Sequence, residues 1–330
     1  MTTAVKGKRY LITGGASLVG SHICDALIQG GAKEIRLLDN FSLGTPQTIA
    51  HLEDEPSITR IRGDILKMPD LLAACDDVDG VFALAGYLTL PLSKDPFTGV
   101  SVNTLGMLNT LEACRFQKVR RVIFSSSIAA YGMPVSHPID ETTGYAWNGL
   151  QPASNIYGAS KIMGEAICAQ YAKVHGVQYN ALRFSSVYGE RQHARAVNAV
   201  FVAEICDQVL RGQAPVIPGD GREVHDYVYV SDVARACVTA MTSDSHNHVL
   251  NIGTGIDTTA TQVAEMAIQL SGKNLKVVYQ EDNRAVKSAA ADRLQIDVRK
   301  AAATIGWKPE IMLEEGMRRL MDWQRKSGGQ

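Results

Sequence analysis

The alternation of short β-prone runs with stretches of helical spacing is what most restricts the fold of this chain. Lys8-Arg-Tyr-Leu-Ile-Thr13 is such a run, and it leads through Gly14-Gly-Ala-Ser-Leu-Val-Gly20 into an amphipathic helix expected from about Ser21 to Gln29. The strand signal returns at Glu34-Ile-Arg-Leu-Leu-Asp39, Ile58-Thr-Arg-Ile-Arg-Gly-Asp64, Gly80-Val-Phe-Ala-Leu-Ala-Gly86, 120–127 and 178–184. Helical spacing lies between these runs, at 68–75, 102–116 and 155–172. Parallel neighbours need a crossover, usually a helix, so the alternation predicts an α/β protein on a parallel, doubly wound sheet. Beyond 184 the pattern loosens into a turn-rich stretch at 213–221, short strands at 224–230 and 249–252, and helices near 231–242, 258–271 and 313–325. The sheet domain is therefore expected over 1–185, with a return near 225–255. A smaller, discontinuous, mixed α/β substrate domain is expected over 186–330.

Composition narrows the function. With 45% apolar and 20% charged residues, the 330-residue chain can bury a sizeable core. A net charge of −1 supplies no basic field for nucleic acid and no polybasic membrane patch. The six cysteines are scattered singly, without Cys-x-x-Cys, as expected of reduced buried thiols rather than a metal cluster. Residues 1–9 are too short and polar for a secretory leader, and no apolar run approaches the roughly 20 residues that span a bilayer. A cytoplasmic protein is expected.

Three features carry chemistry. Strand, glycine turn and helix start come in the order of a Rossmann-type dinucleotide site, where Gly14 makes the tight turn and Gly20 allows close helix packing. The helix N-terminus then offers N–H groups to a pyrophosphate. Asp39 ends the second strand, where a carboxylate accepts from ribose hydroxyls and repels a 2′-phosphate, so NAD is expected over NADP. Tyr157 and Lys161 stand four apart on a helix, hence on one face, and an ammonium beside a phenol favours the phenolate needed for acid–base work. Ser127 ends the fifth strand, on the side where such sheets bind ligands, although strand-end serines also serve as turn-formers.

With Thr13-Gly-Gly-Ala-x-x-Val-Gly20, Asp39-Asn-Phe-Ser42, Gly63-Asp64, Ser125-Ser-Ser127 before Tyr131-Gly132, and Tyr157-x-x-x-Lys161 all in order, the chain resembles the extended short-chain dehydrogenase/reductase family. Within that family it is similar to the nucleotide-sugar epimerases and dehydratases. The likeness continues through Leu182-Arg-Phe184, Val187-Tyr-Gly189, Gly219-Asp-Gly221, Asp226-Tyr-Val-Tyr-Val-Ser-Asp-Val-Ala234, Asn251-Ile-Gly253 and Gly306-Trp-Lys-Pro309. It implies a catalytic set of Ser127, Tyr157 and Lys161, a phosphate loop at Gly14 and Gly20, a ribose ligand at Asp39 and an adenine contact at Asp64. Further implied NAD contacts are Ser17, Leu18, Val19, Asn40, Ile65, Leu84, Ala85, Asn103 and Phe184. Implied substrate contacts are Ser186, His225, Arg284 and Arg293, and no metal is implied.

Departures from the pattern sharpen the expectation. Ser17 replaces the middle glycine of the loop, Ser186 an asparagine, and His225 an arginine expected on a sugar diphosphate; a neutral imidazole binds a diphosphate less well than a forked cation. After Ser127 come Ile128 and Ala129, where dehydrating and decarboxylating relatives place acids. Only the alcohol machinery is complete. The resemblance therefore implies NAD-dependent 4-epimerisation of a nucleotide sugar through a transient 4-ketone. The alternatives are a dehydrogenase or reductase of a sugar or other secondary alcohol, and a dehydratase or decarboxylase that recruits Asp140 or Glu141. A homodimer is expected through Leu105, Leu108 and Leu111 of one helix and Ile162, Met163, Ala166 and Ile167 of another.

Overall fold

The computed structural model describes residues 3–134, 137–192, 201–283 and 293–327. Its strands are β1 (Arg9–Thr13), β2 (Glu34–Asp39), β3 (Ile58–Arg62), β4 (Gly80–Ala83), β5 (Arg121–Ser127), β6 (Gln178–Phe184), β7 (Ser186–Tyr188), β8 (Val216–Pro218), β9 (Val224–His225), β10 (Tyr227–Tyr229), β11 (His248–Ile252), β12 (Thr258–Thr259) and β13 (Val278–Gln280). Its helices are α1 (Leu18–Gln29), α2 (Met68–Cys75), α3 (Thr89–Lys94), α4 (Pro96–Val100), α5 (Met107–Phe116), α6 (Pro152–His175), α7 (Phe201–Leu210), α8 (Val230–Thr242), α9 (Ala260–Ser271), α10 (Arg299–Ile305) and α11 (Leu313–Lys326).

Seven strands form one parallel sheet in the order β3–β2–β1–β4–β5–β6–β11. Both faces are covered, which is why β1 and β4 read as continuous apolar runs rather than alternating ones. Successive side chains point to opposite faces. Tyr10 and Ile12 thus enter the core shared with α1 and α8, while Leu11 between them enters the core of α2, α5 and α6. A third core gathers α7, α9 and α11 around Tyr188, Tyr227 and Tyr229.

The doubly wound sheet is as expected; several boundaries differ. Helix α1 starts at Leu18 rather than near Ser21, because Ser17 caps it: the Ser17 Oγ accepts the Gly20 N–H at 3.1 Å. The helix expected at 102–116 is a π-helical turn, Ser101–Gly106, running into α5. Helix α6 is longer than expected, with Pro152 in its first turn and Gly176 closing it at φ +71°. Strands β3 and β4 stop before Asp64 and Leu84, which become loop. Helices α3, α4, α7 and α10 were not expected, although in α7 Val202, Ile205, Cys206 and Val209 carry a helical spacing of buried residues.

Candidate active site

Strand order reverses between β1 and β4, and the crevice at such a switch point is where doubly wound sheets bind ligands. A cleft open to solvent lies there. It is lined by Gly14, Ser17, Asp39, Asn40, Asp64, Ile65, Leu84 and Ala85, all expected, and by Ser42, Gly44, Gly86 and Tyr87, which were not. Gly14 has φ +70°, and a Cβ there would stand 2.9 Å from the Ala85 N and Cα. A Cβ on Gly20 would stand 2.8 Å from the Gly14 and Gly15 carbonyl oxygens. The glycine loop is thereby pressed between the chain just after β4 and the first turn of α1, to which Leu18, Val19 and Gly20 belong, and whose N–H groups have no carbonyl partner within the helix. Ser17 costs the loop nothing in closeness, since its hydroxyl turns inward to cap the helix.

Asp39 is 9% exposed, and its two oxygens accept from Ala16 N–H (3.0 Å) and Phe41 N–H (2.8 Å). Burial raises its carboxyl above the usual range, and the two N–H donors oppose that rise. A carboxylate has about four acceptor positions, so two remain for ribose hydroxyls. Asp64 binds the Leu66 N–H (2.9 Å) and the Asn40 amide (3.3 Å). Asn103 is fully engaged: it accepts from Tyr87 N–H at 2.7 Å and donates to the Tyr87 carbonyl and to Ser160. It acts on the cleft by holding the Gly86-Tyr87 wall. These residues fit a dinucleotide.

Ser127, Tyr157 and Lys161 come together where β5 ends against α6. Ser127 pairs in register with Phe184 of β6, its Oγ accepts the Ala129 N–H at 3.1 Å, and its hydroxyl stands near enough to the Tyr157 phenol to favour the phenolate. The Lys161 Nζ donates to the Ser125 carbonyl at 2.7 Å, lies 5.6 Å from the Tyr157 ring centre, and would be 3.7 Å from a Cβ on Gly86 of the cleft wall. One expectation fails here. The phenol is not drawn down towards neutrality: burial pushes Tyr157 up to about 12, with the Ser127 hydroxyl opposing. Burial also brings Lys161 down to about 8, against the field of Glu165. Desolvation outweighs the pairing because the ammonium sits beside the ring and on a carbonyl rather than at the hydroxyl.

The sequence reading missed a buried ion pair behind this set. Arg183 of β6 forks onto Glu165 of α6, Nε to Oε1 at 2.8 Å and Nη2 to Oε2 at 2.7 Å, and Ser126 donates to the same Oε1 at 2.5 Å. A signal was present, since Glu165 lies four residues beyond Lys161. Past the end of β6, the Ser186 Oγ lies 3.3 Å from His225 Nδ1, and His225 Nε2 lies 2.5 Å from Glu223. Asp226 is fully buried and accepts from Thr254, Gly255 and Ser185, fixing the turn after β11 beside Ser186. Arg293 is exposed, and Arg284 lies outside the described residues.

A parallel sheet with this crevice and a Ser–Tyr–Lys set defines a dinucleotide-dependent enzyme of alcohol chemistry. A sequence model of the NAD dependent epimerase/dehydratase family matches residues 10–253, and the chain belongs to that family; its cofactor is NAD. A protein of Methanocaldococcus jannaschii provisionally assigned as a UDP-glucose 4-epimerase is 34% identical over 96% of this chain and 98% of its own. The crystal structure of a Thermotoga maritima UDP-glucose 4-epimerase with UDP-glucose superposes with a TM-score of 0.86 at 31% identity, over 97% of this chain and 99% of the other. The Thermus thermophilus UDP-glucose 4-epimerase in complex with NAD gives 0.81 at 31% identity, over 96% and 99%. Among the described residues no helix is long and apolar enough to cross a membrane.

Proposed function

We propose that this enzyme interconverts nucleotide sugars that differ in configuration at C4, by oxidation to a 4-ketone and return of the hydride to the opposite face. Bound NAD supplies the hydride acceptor and, on return, the donor. Tyr157 Oη takes the proton of the sugar hydroxyl and gives it back, Ser127 Oγ holds the same oxygen, and Lys161 supplies positive charge beside the phenol. The glycine loop, Asp39 and Asp64 hold the dinucleotide; the substrate is assigned to Ser186 and His225, which meet at 3.3 Å, and to Arg293.

One observation carries the choice of epimerisation: among the described residues, the positions where an acid would drive elimination or decarboxylation are apolar, and the two nearby acids are hydrogen-bonded elsewhere. Ile128 and Ala129 follow Ser127 in a 3-10 turn. The Asp140 Oδ1 accepts from the Thr142 N–H (2.9 Å) and hydroxyl (2.6 Å), which hold its carboxyl below the usual range. Glu141 accepts the Asn251 N–H at 2.8 Å. With the recruits committed elsewhere, the ketone has one exit, reduction. UDP-sugars are the first substrates to try, since the relatives are named for them. A homodimer goes with this reading, supported by exposed Leu105, Leu108, Ile156 and Met163 across 101–108 and α6; Leu111, by contrast, is core. Six unpaired buried thiols support a reducing, cytoplasmic setting.

The test is incubation with UDP-sugar deuterated at C4. Epimerised product that keeps the label, without net NADH, is expected. Label lost to a pool of free reduced cofactor would make the protein a dehydrogenase, and a 4-keto-6-deoxy product a dehydratase.

A further inference from the structure

Glu165 is 7% exposed and takes no part in the proton path, yet it is more heavily bonded than any catalytic side chain. We propose that Glu165, held by Arg183 and Ser126, is a positioning residue that fixes α6 against β5 and stands one helical turn from Lys161 as its counter-charge. The proposal rests on the roles given above to Ser127, Tyr157 and Lys161.

The geometry is a ladder. Two consecutive residues of β5 each grip a different turn of α6, the Ser125 carbonyl accepting from Lys161 and the Ser126 hydroxyl donating to Glu165, and Ser127 follows them beside Tyr157. A slip of α6 by one residue, a rise of about 1.5 Å and a large rotation, breaks both bonds at once and carries Tyr157 away from Ser127. Arg183 ties the Glu165 rung to β6, and its guanidinium lies 4.5 Å from the Tyr131 ring centre, at the turn just after Ser127. The Tyr131 hydroxyl in turn donates to Asn251 at 2.6 Å. Arg183 Nη1 is buried without a hydrogen-bond partner, and the hydrogen bonds that the guanidinium does make go to Glu165. As a stabilising device such a pair is poor, since burying both charges costs about what their attraction returns. A role in setting the site accounts for it better.

The groups facing Lys161 leave Glu165 as its counter-charge. From α6 come Tyr157 and Glu165; from β5, the Ser125 carbonyl and the Phe124 ring, 5.2 Å from Nζ; from the cleft wall, Gly86. Glu165 is the charge whose field reaches Lys161 and opposes the effect of burial.

Two variants test this, Glu165→Gln and Glu165→Gln/Arg183→Met. The single change leaves Arg183 as a lone buried charge and is liable to misfold; the double change removes both charges. Each is checked by thermal melting and NAD titration. Two readouts follow: the pH profile of turnover, and NMR titration of the labelled Lys161 side chain, assigned with Lys161→Met. In the folded variants both the alkaline limb and the Lys161 titration should move to lower pH by about one unit or more, with kcat reduced and KM little changed. A folded variant whose Lys161 titrates as in the wild type, or whose loss is stability alone with an unmoved profile, overturns the proposal. The NMR readout needs no turnover, so a wild type that fails to epimerise refutes the functional reading and leaves this one to be judged separately.

Discussion

Alanine at Gly14 and alanine at Gly176 should differ in cost, and the difference measures how tightly the glycine loop is wedged. The two glycines have nearly the same backbone, φ +70° and +71°, so a Cβ incurs the same left-handed penalty at either, about 1–2 kcal/mol. Their surroundings differ. Nothing lies within 4 Å of the added Cβ at Gly176, whereas at Gly14 it meets the Ala85 N and Cα at 2.9 Å. Backbone cannot swing aside as a side chain can, and overpacking of this kind costs about 1–3 kcal/mol more. The expected losses are therefore about 1–2 kcal/mol for Gly176→Ala and about 2–5 kcal/mol for Gly14→Ala. On a total stability of about 5–15 kcal/mol the second is severe and the first is not. Urea unfolding of both variants, compared at matched m-values, gives the difference. Relief of the Gly14 contact must part the ends of β1 and β4, so NAD affinity should fall in that variant and hold in the other. Equal destabilisation, or unchanged NAD binding by a folded Gly14→Ala protein, would refute the wedge.

Other outcomes follow from the same geometry. Tyr157→Phe should keep fold and NAD binding, since Ser127 retains its bond from Ala129, and should lose about two to four decades of kcat; a smaller loss would give the proton to another group. Titration with both cofactors should favour NAD over NADP because of Asp39, and equal affinity would remove that residue from its role. Stability should respond to alkali in two windows. Lys161, lowered from 10.5 to about 8, makes folding more favourable as pH rises between those values, because there the unfolded chain binds the extra proton. Tyr157 and Tyr131, raised from 10.0 to about 12, give stability that is full below 10 and lost as pH climbs to 12. Urea midpoints across this range, with tyrosinate absorbance, check both signs. Leu105→Glu/Met163→Glu should leave a folded monomer where light scattering finds a wild-type dimer.

How much of this was readable in the sequence depended on the range of the force involved. Strands buried on both faces announce themselves as apolar runs, and the loops after them as Gly, Asp or Ser, so the sheet and the cleft residues Gly14, Asp39, Asp64 and Ala85 were legible. Tyr157 and Lys161 were legible as a pair because helical spacing alone brings them to one face. Their protonation was not, because it depends on burial and on where Nζ is anchored, and the anchor is a carbonyl of β5. The start of α1 was misplaced by the single hydroxyl of Ser17, a capping contact that periodicity does not register. Glu165, Arg183 and Ser126 are brought together by the register of β5 on β6 and by the seating of α6; the spacing of Glu165 from Lys161 marks one member of the cluster, and the other two carry no local pattern. Helix α7 did carry its signal, in Val202, Ile205, Cys206 and Val209, and was overlooked beside the turn-rich segment that follows it.

The serine ladder also separates what this enzyme must keep from what it is free to change. Because β5 grips α6 directly at Ser125 and Ser126, the placement of Lys161 is set by strand and helix themselves, and the chain between Gly132 and Gln151 adds a hold on α6, the bond from the Tyr145 hydroxyl to Asn155 Oδ1 at 2.8 Å. Changes of length or composition in that connector that spare Tyr145 should leave the reacting groups in place, as a tool head keeps its alignment while its handle is exchanged.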